Sequence, residues 1–237
     1  MNQSIVLIGT IKNGIPTTVG TGFLITYFSK IYVVTCRHVI YEAGFDTLFA
    51  ITNPKMTKTP SPPYKVLQIK KLHFHRDDSW DSNYDVVVCE LLHIPNSELK
   101  KHNLSFVSVN SRTQIKAPEN GDKIIGFGFP IEYTESILAS NKEDRMFPYE
   151  TFATVLDLPI LGLKQNGFVG NVKEGFFAQT INNQDPGKGN SGGLVIIENK
   201  NEPYGVILGG AMFENENTTG IVFASFKRVI EILQDIK

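Results

Sequence analysis

An all-β fold built as two small barrels is what this sequence predicts, on three observations. Strand-length apolar runs fall into two series, turn residues separate them throughout, and the one convincing amphipathic helix lies at the C-terminal end. The 237 residues suffice for one large domain or two small ones, and a hydrophobic content of 41% is ordinary for a globular chain. Twenty Gly and twelve Pro sit between runs rich in Val, Ile, Phe and Tyr, the pattern of many strands joined by tight turns.

Residues 4–12 and 18–27 read as a hairpin about a Gly-Ile-Pro turn at 14–16, with 31–36 as a third strand. A short helix-like run, Val39 to Ala43, comes next. Runs at 46–52, 64–74, 85–92 and 104–109, each bounded by Pro, Asn, Asp or Ser, complete a first barrel. After the polar stretch 110–122, runs at 123–129, 150–157, 175–180, 193–198, 204–213 and 219–224 supply a second. The expected domains are therefore 1–115 and 116–237. Residues 131–149 lack a period of two and are long for a loop, which marks a candidate functional segment. In the helix at 225–236, Phe226, Val229, Ile230 and Leu233 share one face, with Lys227, Arg228, Glu231 and Asp235 elsewhere.

Composition excludes several classes of function. Lys plus Arg number 23 and Asp plus Glu 24, a net charge of −1 that offers no field for nucleic acid or anionic lipid. No apolar run approaches the roughly 18 residues that span a bilayer, so no membrane partner is expected. The N-terminus shows no secretory signal and the two cysteines, Cys36 and Cys89, are too few for a disulfide framework. A cytoplasmic protein with buried reduced thiols is the expectation. His73 and His75 alternate onto one strand face at a spacing metals use, but beyond Asp77 or Asp78 no third ligand is evident, and no metal is expected. Gly126-Phe127-Gly128 lacks the third glycine and the helix that phosphate binding needs, and no cofactor is expected.

The chemistry concentrates in three places. Gly187-Lys188-Gly189-Asn190-Ser191-Gly192-Gly193 sets a serine in a glycine-rich turn ahead of the apolar strand Leu194–Ile197. There the N–H groups of Gly189 and Ser191 can converge on one point, as an oxyanion hole requires. By itself the motif also describes a plain hairpin turn with an incidental serine, and it needs partners. A serine hydroxyl is a weak nucleophile that requires a base near neutral pKa, and His38 at the end of strand 31–36 supplies an imidazole. Asp85, at the mouth of an apolar run, is placed to accept the other imidazole N–H and fix the tautomer. Asp77, Asp78 and Asp81 compete for this role. Asp85 is preferred because a strand follows it directly, whereas the others lie in a polar loop.

Thr35-Cys36-Arg37-His38-Val39, Asp85-Val86-Val87-Val88 and Gly189-Asn190-Ser191-Gly192-Gly193, in that order, resemble the trypsin-like serine proteases. The glycine-rich strand Gly20-Thr21-Gly22-Phe23-Leu24-Ile25 and the C-terminal helix extend the resemblance over nearly the whole chain. It implies two six-stranded antiparallel barrels with the site in the cleft between them, and peptide hydrolysis by Ser191, His38 and Asp85 on protein or peptide substrates. Asn190 stands where digestive members carry an aspartate that pairs with a newly cut N-terminus. It looks like the intracellular, viral and HtrA-type branches, although no PDZ-like segment follows, and it implies that no N-terminal cleavage is needed. Asp185, six residues before Ser191, has the spacing of a trypsin-type specificity carboxylate, while Asp-Pro-Gly is also an ordinary turn. Lys188, Leu208, Gly209 and Gly210 complete the implied substrate-binding set. The alternative function is a latent or inactive protease-fold binding module awaiting a regulatory partner.

Overall fold

The computed structural model describes residues 4–12, 15–43, 49–52, 66–77, 84–101, 104–110, 112–119, 122–129, 160–165, 175–180, 188–198, 200, 202–213 and 218–236. The first barrel is a ring of six antiparallel strands: β1 (Ile5–Lys12), β2 (Ile15–Tyr27), β3 (Lys30–Thr35), β4 (Phe49–Thr52), β5 (Val66–Phe74) and β6 (Val87–Leu91). They run in the order β1-β4-β5-β6-β3-β2, and pairing of β1 with β2 closes the ring. One 13-residue strand, β2, serves two neighbours, pairing with β1 up to Phe23 and with β3 from Phe23 onward. A two-residue strand, β7 (Val107–Ser108), joins it in parallel.

The second barrel closes in the order β10-β13-β12-β11-β8-β9. Its strands are β8 (Ile124–Phe127), β9 (Ile160–Gln165), β10 (Gly175–Thr180), β11 (Leu194–Ile197), β12 (Pro203–Phe213) and β13 (Thr218–Ser225). The architecture is thus the expected pair of six-stranded barrels, followed by a C-terminal helix, α3 (Lys227–Gln234). Two shorter helices, α1 (Arg37–Ala43) and α2 (Asn96–Lys101), lie in the first half. Among the described residues no helix is long and apolar enough to cross a membrane.

Differences from the sequence reading have local causes. Pro16 lies in β2 opposite Ile11 rather than in the turn, close to the strand's start, where its missing N–H costs least. With six residues opening on Pro95-Asn96, α2 is too short to show a helical period. Ile160–Gln165 was not expected as a strand, and both the candidate functional segment 131–149 and the expected strand 150–157 lie outside the described residues.

Burial joins the barrels rather than merely filling each one. A single apolar cluster runs from Val6, Phe23 and Val34 in the first barrel through Leu194 and Val206 in the second to Phe226 and Leu233 of α3. A smaller cluster around Tyr204, Ile221 and Phe223 fills the second barrel. Against expectation, Arg228 is buried: its guanidinium lies 4.4 Å from the Tyr84 ring centroid and bonds Glu231 at 2.6 Å. Glu231 in turn meets His75 Nε2 at 3.3 Å, so the polar side of α3 is packed against the first barrel. This arrangement holds the segment that leads into Asp85.

Candidate active site

Antiparallel pairing puts the end of β3 beside the start of β6, with Thr35 opposite Val87. The residues just beyond those ends are His38, in the first turn of α1, and Asp85, two residues before β6. Asp85 grips His38 at two points. Oδ1 accepts the His38 backbone N–H at 2.9 Å and Oδ2 lies 2.6 Å from the ring Nδ1, while the Asp85 carbonyl accepts the Arg37 N–H at 3.3 Å. An ionised carboxylate is an acceptor only, so Nδ1 carries the proton and Nε2 is left as the basic nitrogen. Burial pulls the imidazole pKa down, but the hydrogen bond and charge of Asp85, with the charge of Glu42, outweigh it and leave the pKa raised. The Asp85 carbonyl, which accepts the Arg37 N–H, is turned away from a ladder partner, and the strand expected to begin at Asp85 begins at Val87.

Ser191 stands in a tight turn ahead of β11, in which the Gly193 N–H bonds the Asn190 carbonyl at 2.9 Å. The turn needs left-handed backbone at Gly189 (φ 94°) and Gly192 (φ 89°), which glycine adopts without steric cost. A Cβ at Gly192 would lie 2.0 Å from the Thr21 carbonyl oxygen and 2.3 Å from Thr35 Oγ1, so the turn is pressed directly against the first barrel. On the other side the Gly192 N–H bonds the Ile207 carbonyl at 2.7 Å, and the Ile207 N–H bonds the Gly193 carbonyl at 2.8 Å. The β12–β13 register slips between Ile207 and Gly209, which leaves the Leu208 carbonyl out of the ladder. Ser191 Oγ–H donates to that carbonyl at 3.0 Å.

Of the remaining substrate-binding candidates, Lys188 and Gly210 are exposed and Gly209 is half-buried. Among the described residues a Cβ at Gly209 would meet nothing within 4 Å, which leaves room beside Leu208. Asp185, Asp78 and Asp81 lie outside the described residues. Asp77 is exposed, with its carboxylate 3.8 Å from His75. His73 and His75 do not act together: His73 faces Glu90 at 3.4 Å, whereas His75 packs 4.5 Å from the Tyr84 ring and contacts Glu231.

Two neighbours of the site were given no part in it by the sequence, although Cys36 was expected as a buried thiol. Cys36 is fully buried, its thiol donates to the Ile207 carbonyl at 3.0 Å, and burial, reinforced by the Asp85 charge, pushes its pKa far up. Ligand atoms of Cys36, His38 and Asp85 come within 4.8 Å of one another, a spacing metals use. Yet the thiol is held protonated, and the imidazole and carboxylate are bonded to each other, so the donor set suits proton handling better than metal ligation. Thr21, fully buried on β2, bonds the Ser191 carbonyl through its N–H (2.9 Å) and the Gly189 carbonyl through its hydroxyl (2.7 Å). Its Gly-Thr-Gly context stood out in the sequence, but only as a strand.

The family model described as Trypsin matches residues 7–233, from β1 into α3. No curated protein matches the chain.

Proposed function

The chain belongs to the trypsin family of serine peptidases, and on that premise we propose that it is an endopeptidase whose nucleophile is Ser191, general base His38 and orienting acid Asp85. The observation that carries this reading is the two-point grip of Asp85 on His38, which fixes the ring and the tautomer together.

The reaction begins when the Ser191 hydroxyl rotates off the Leu208 carbonyl toward the imidazole. Its proton passes to His38 Nε2 as Oγ bonds the peptide carbonyl carbon, and the C=O electron pair moves onto oxygen. The amides of Gly189 and Ser191 receive the oxyanion. Collapse breaks the C–N bond while His38 returns its proton to the leaving amine. Water, deprotonated by the same imidazole, then releases the acyl group and restores the serine. The Asp85 carboxylate stabilises the imidazolium. The open edge at Gly209 fits a peptide substrate, since a strand without side chains lets the substrate backbone approach.

The test is labelling by a fluorophosphonate, which captures activated serines, of the protein and its Ser191→Ala variant. Labelling of the first and not the second is expected. An unlabelled parent, or a labelled variant, refutes the assignment.

A further inference from the structure

We infer that Thr21, on the first barrel, is the positioning residue of the oxyanion site on the second; the inference rests on the peptidase reading above. An oxyanion hole needs two N–H groups aimed at one point. Here they belong to Gly189 and Ser191, in a turn whose glycines carry no side chains to hold the backbone. What holds it is the carbonyl of each residue. The Gly189 carbonyl accepts the Thr21 hydroxyl at 2.7 Å, and the Ser191 carbonyl accepts the Thr21 N–H at 2.9 Å. The gripped peptides, 189–190 and 191–192, alternate with those that carry the two donors, 188–189 and 190–191, so a single residue pins the plane that follows each donor residue and limits how the turn aims both N–H groups.

Thr21 is itself held on every side. Its Oγ1 accepts the Phe129 N–H at 2.8 Å, which directs the hydroxyl proton toward Gly189, and its carbonyl accepts the Thr35 hydroxyl at 2.6 Å. Both threonines are fully buried, so water does not substitute for these bonds. Thr35 ends β3, three residues before His38, and a chain of hydrogen bonds therefore runs from the strand that presents the base to the turn that presents the nucleophile. The grip on Gly189 spans 168 residues of sequence.

Valine copies the shape of threonine but neither donates nor accepts, whereas serine keeps the hydroxyl. Removing one direct oxyanion donor typically slows an enzyme by about 10²–10³. Misaiming that donor through Thr21→Val is expected to slow fluorophosphonate labelling of Ser191 at least ~10-fold in protein with a native circular dichroism spectrum, while Thr21→Ser stays within ~3-fold of the parent. Thr21→Val will also melt earlier, because it leaves the Gly189 carbonyl and the Phe129 N–H buried without these bonds. The labelling rate, not the melting temperature, decides. A Thr21→Val protein that melts early but labels at the parental rate overturns the inference and leaves the peptidase reading intact. An unlabelled parent overturns both. Should Thr21→Val fail to fold, Thr21→Cys, whose thiol hydrogen-bonds weakly, must label at least ~10-fold more slowly than Thr21→Ser; equal rates overturn the inference.

Discussion

Adding one methyl group at Gly192 tests the contact between the nucleophile turn and the first barrel. The alanine Cβ would stand 2.0 Å from the Thr21 carbonyl oxygen and 2.3 Å from Thr35 Oγ1, both inside the 3.0 Å that real Cβ atoms respect. At φ 89° an L-residue also loses about 1–2 kcal/mol relative to glycine. Relieving the collision moves the Thr21 carbonyl off Thr35 and breaks a 2.6 Å hydrogen bond, which adds about 1–2 kcal/mol. Gly192→Ala should therefore lose about 2–4 kcal/mol, and at roughly 2–4 °C per kcal/mol for a chain of this size its Tm should fall by about 4–16 °C. Gly209→Ala is the control, since its Cβ meets nothing within 4 Å among the described residues and the residue has no left-handed φ. Scanning calorimetry of both variants beside the parent is the assay. A Gly192→Ala protein melting within about 2 °C of the parent, or a Gly209→Ala protein melting as low as Gly192→Ala, refutes the described fit.

Two further predictions concern titration. Asp85→Asn leaves burial as the dominant influence on His38, so the imidazole pKa, followed by NMR, should drop below its ordinary value of 6.5, and the misdirected tautomer should slow labelling by about 10⁴; an unchanged or higher pKa counts against the grip described. In the parent, labelling should rise with pH as His38 deprotonates, with its midpoint above 6.5. The pair's contribution to folding runs the other way, being fully present below about 6.5 and lost as pH rises through the raised folded value. Cys36 and Cys89 are buried with raised pKa values, so both should resist maleimide in the native protein and react on denaturation; rapid native reaction of Cys36 would contradict its place behind His38.

What could be read from the sequence was what local chemistry announces. Alternation and turn residues marked most strands, and the glycines around Ser191 announced an unusual turn. His38 and Asp85 drew attention because each stands at the end of an apolar run, and the pairing of β3 with β6 is what turns those two positions into neighbours. Thr21 and Thr35 sent no such signal. Threonine is an ordinary strand residue, and the meaning of Thr21 lies in carbonyls on the far side of the chain, which no local pattern encodes. Arg228 misled for a related reason: on its own helix it belongs to the polar side, and only the approach of the Tyr84 ring makes that side an interior one. The bulge at Leu208 was likewise invisible, because register is a property of two strands rather than one.

The embrace of Tyr84 by Arg228 has a bearing on when the site comes into being. A chain emerging from the ribosome folds its early segments first, yet the residue preceding Asp85 waits for a partner on α3, made after every strand of both barrels. Until α3 has docked, the carboxylate that steadies His38 sits on a segment with one flank bare. The packing behind the acid residue is therefore complete only once α3 has been made, and a half-made chain carrying every strand of the first barrel still lacks it.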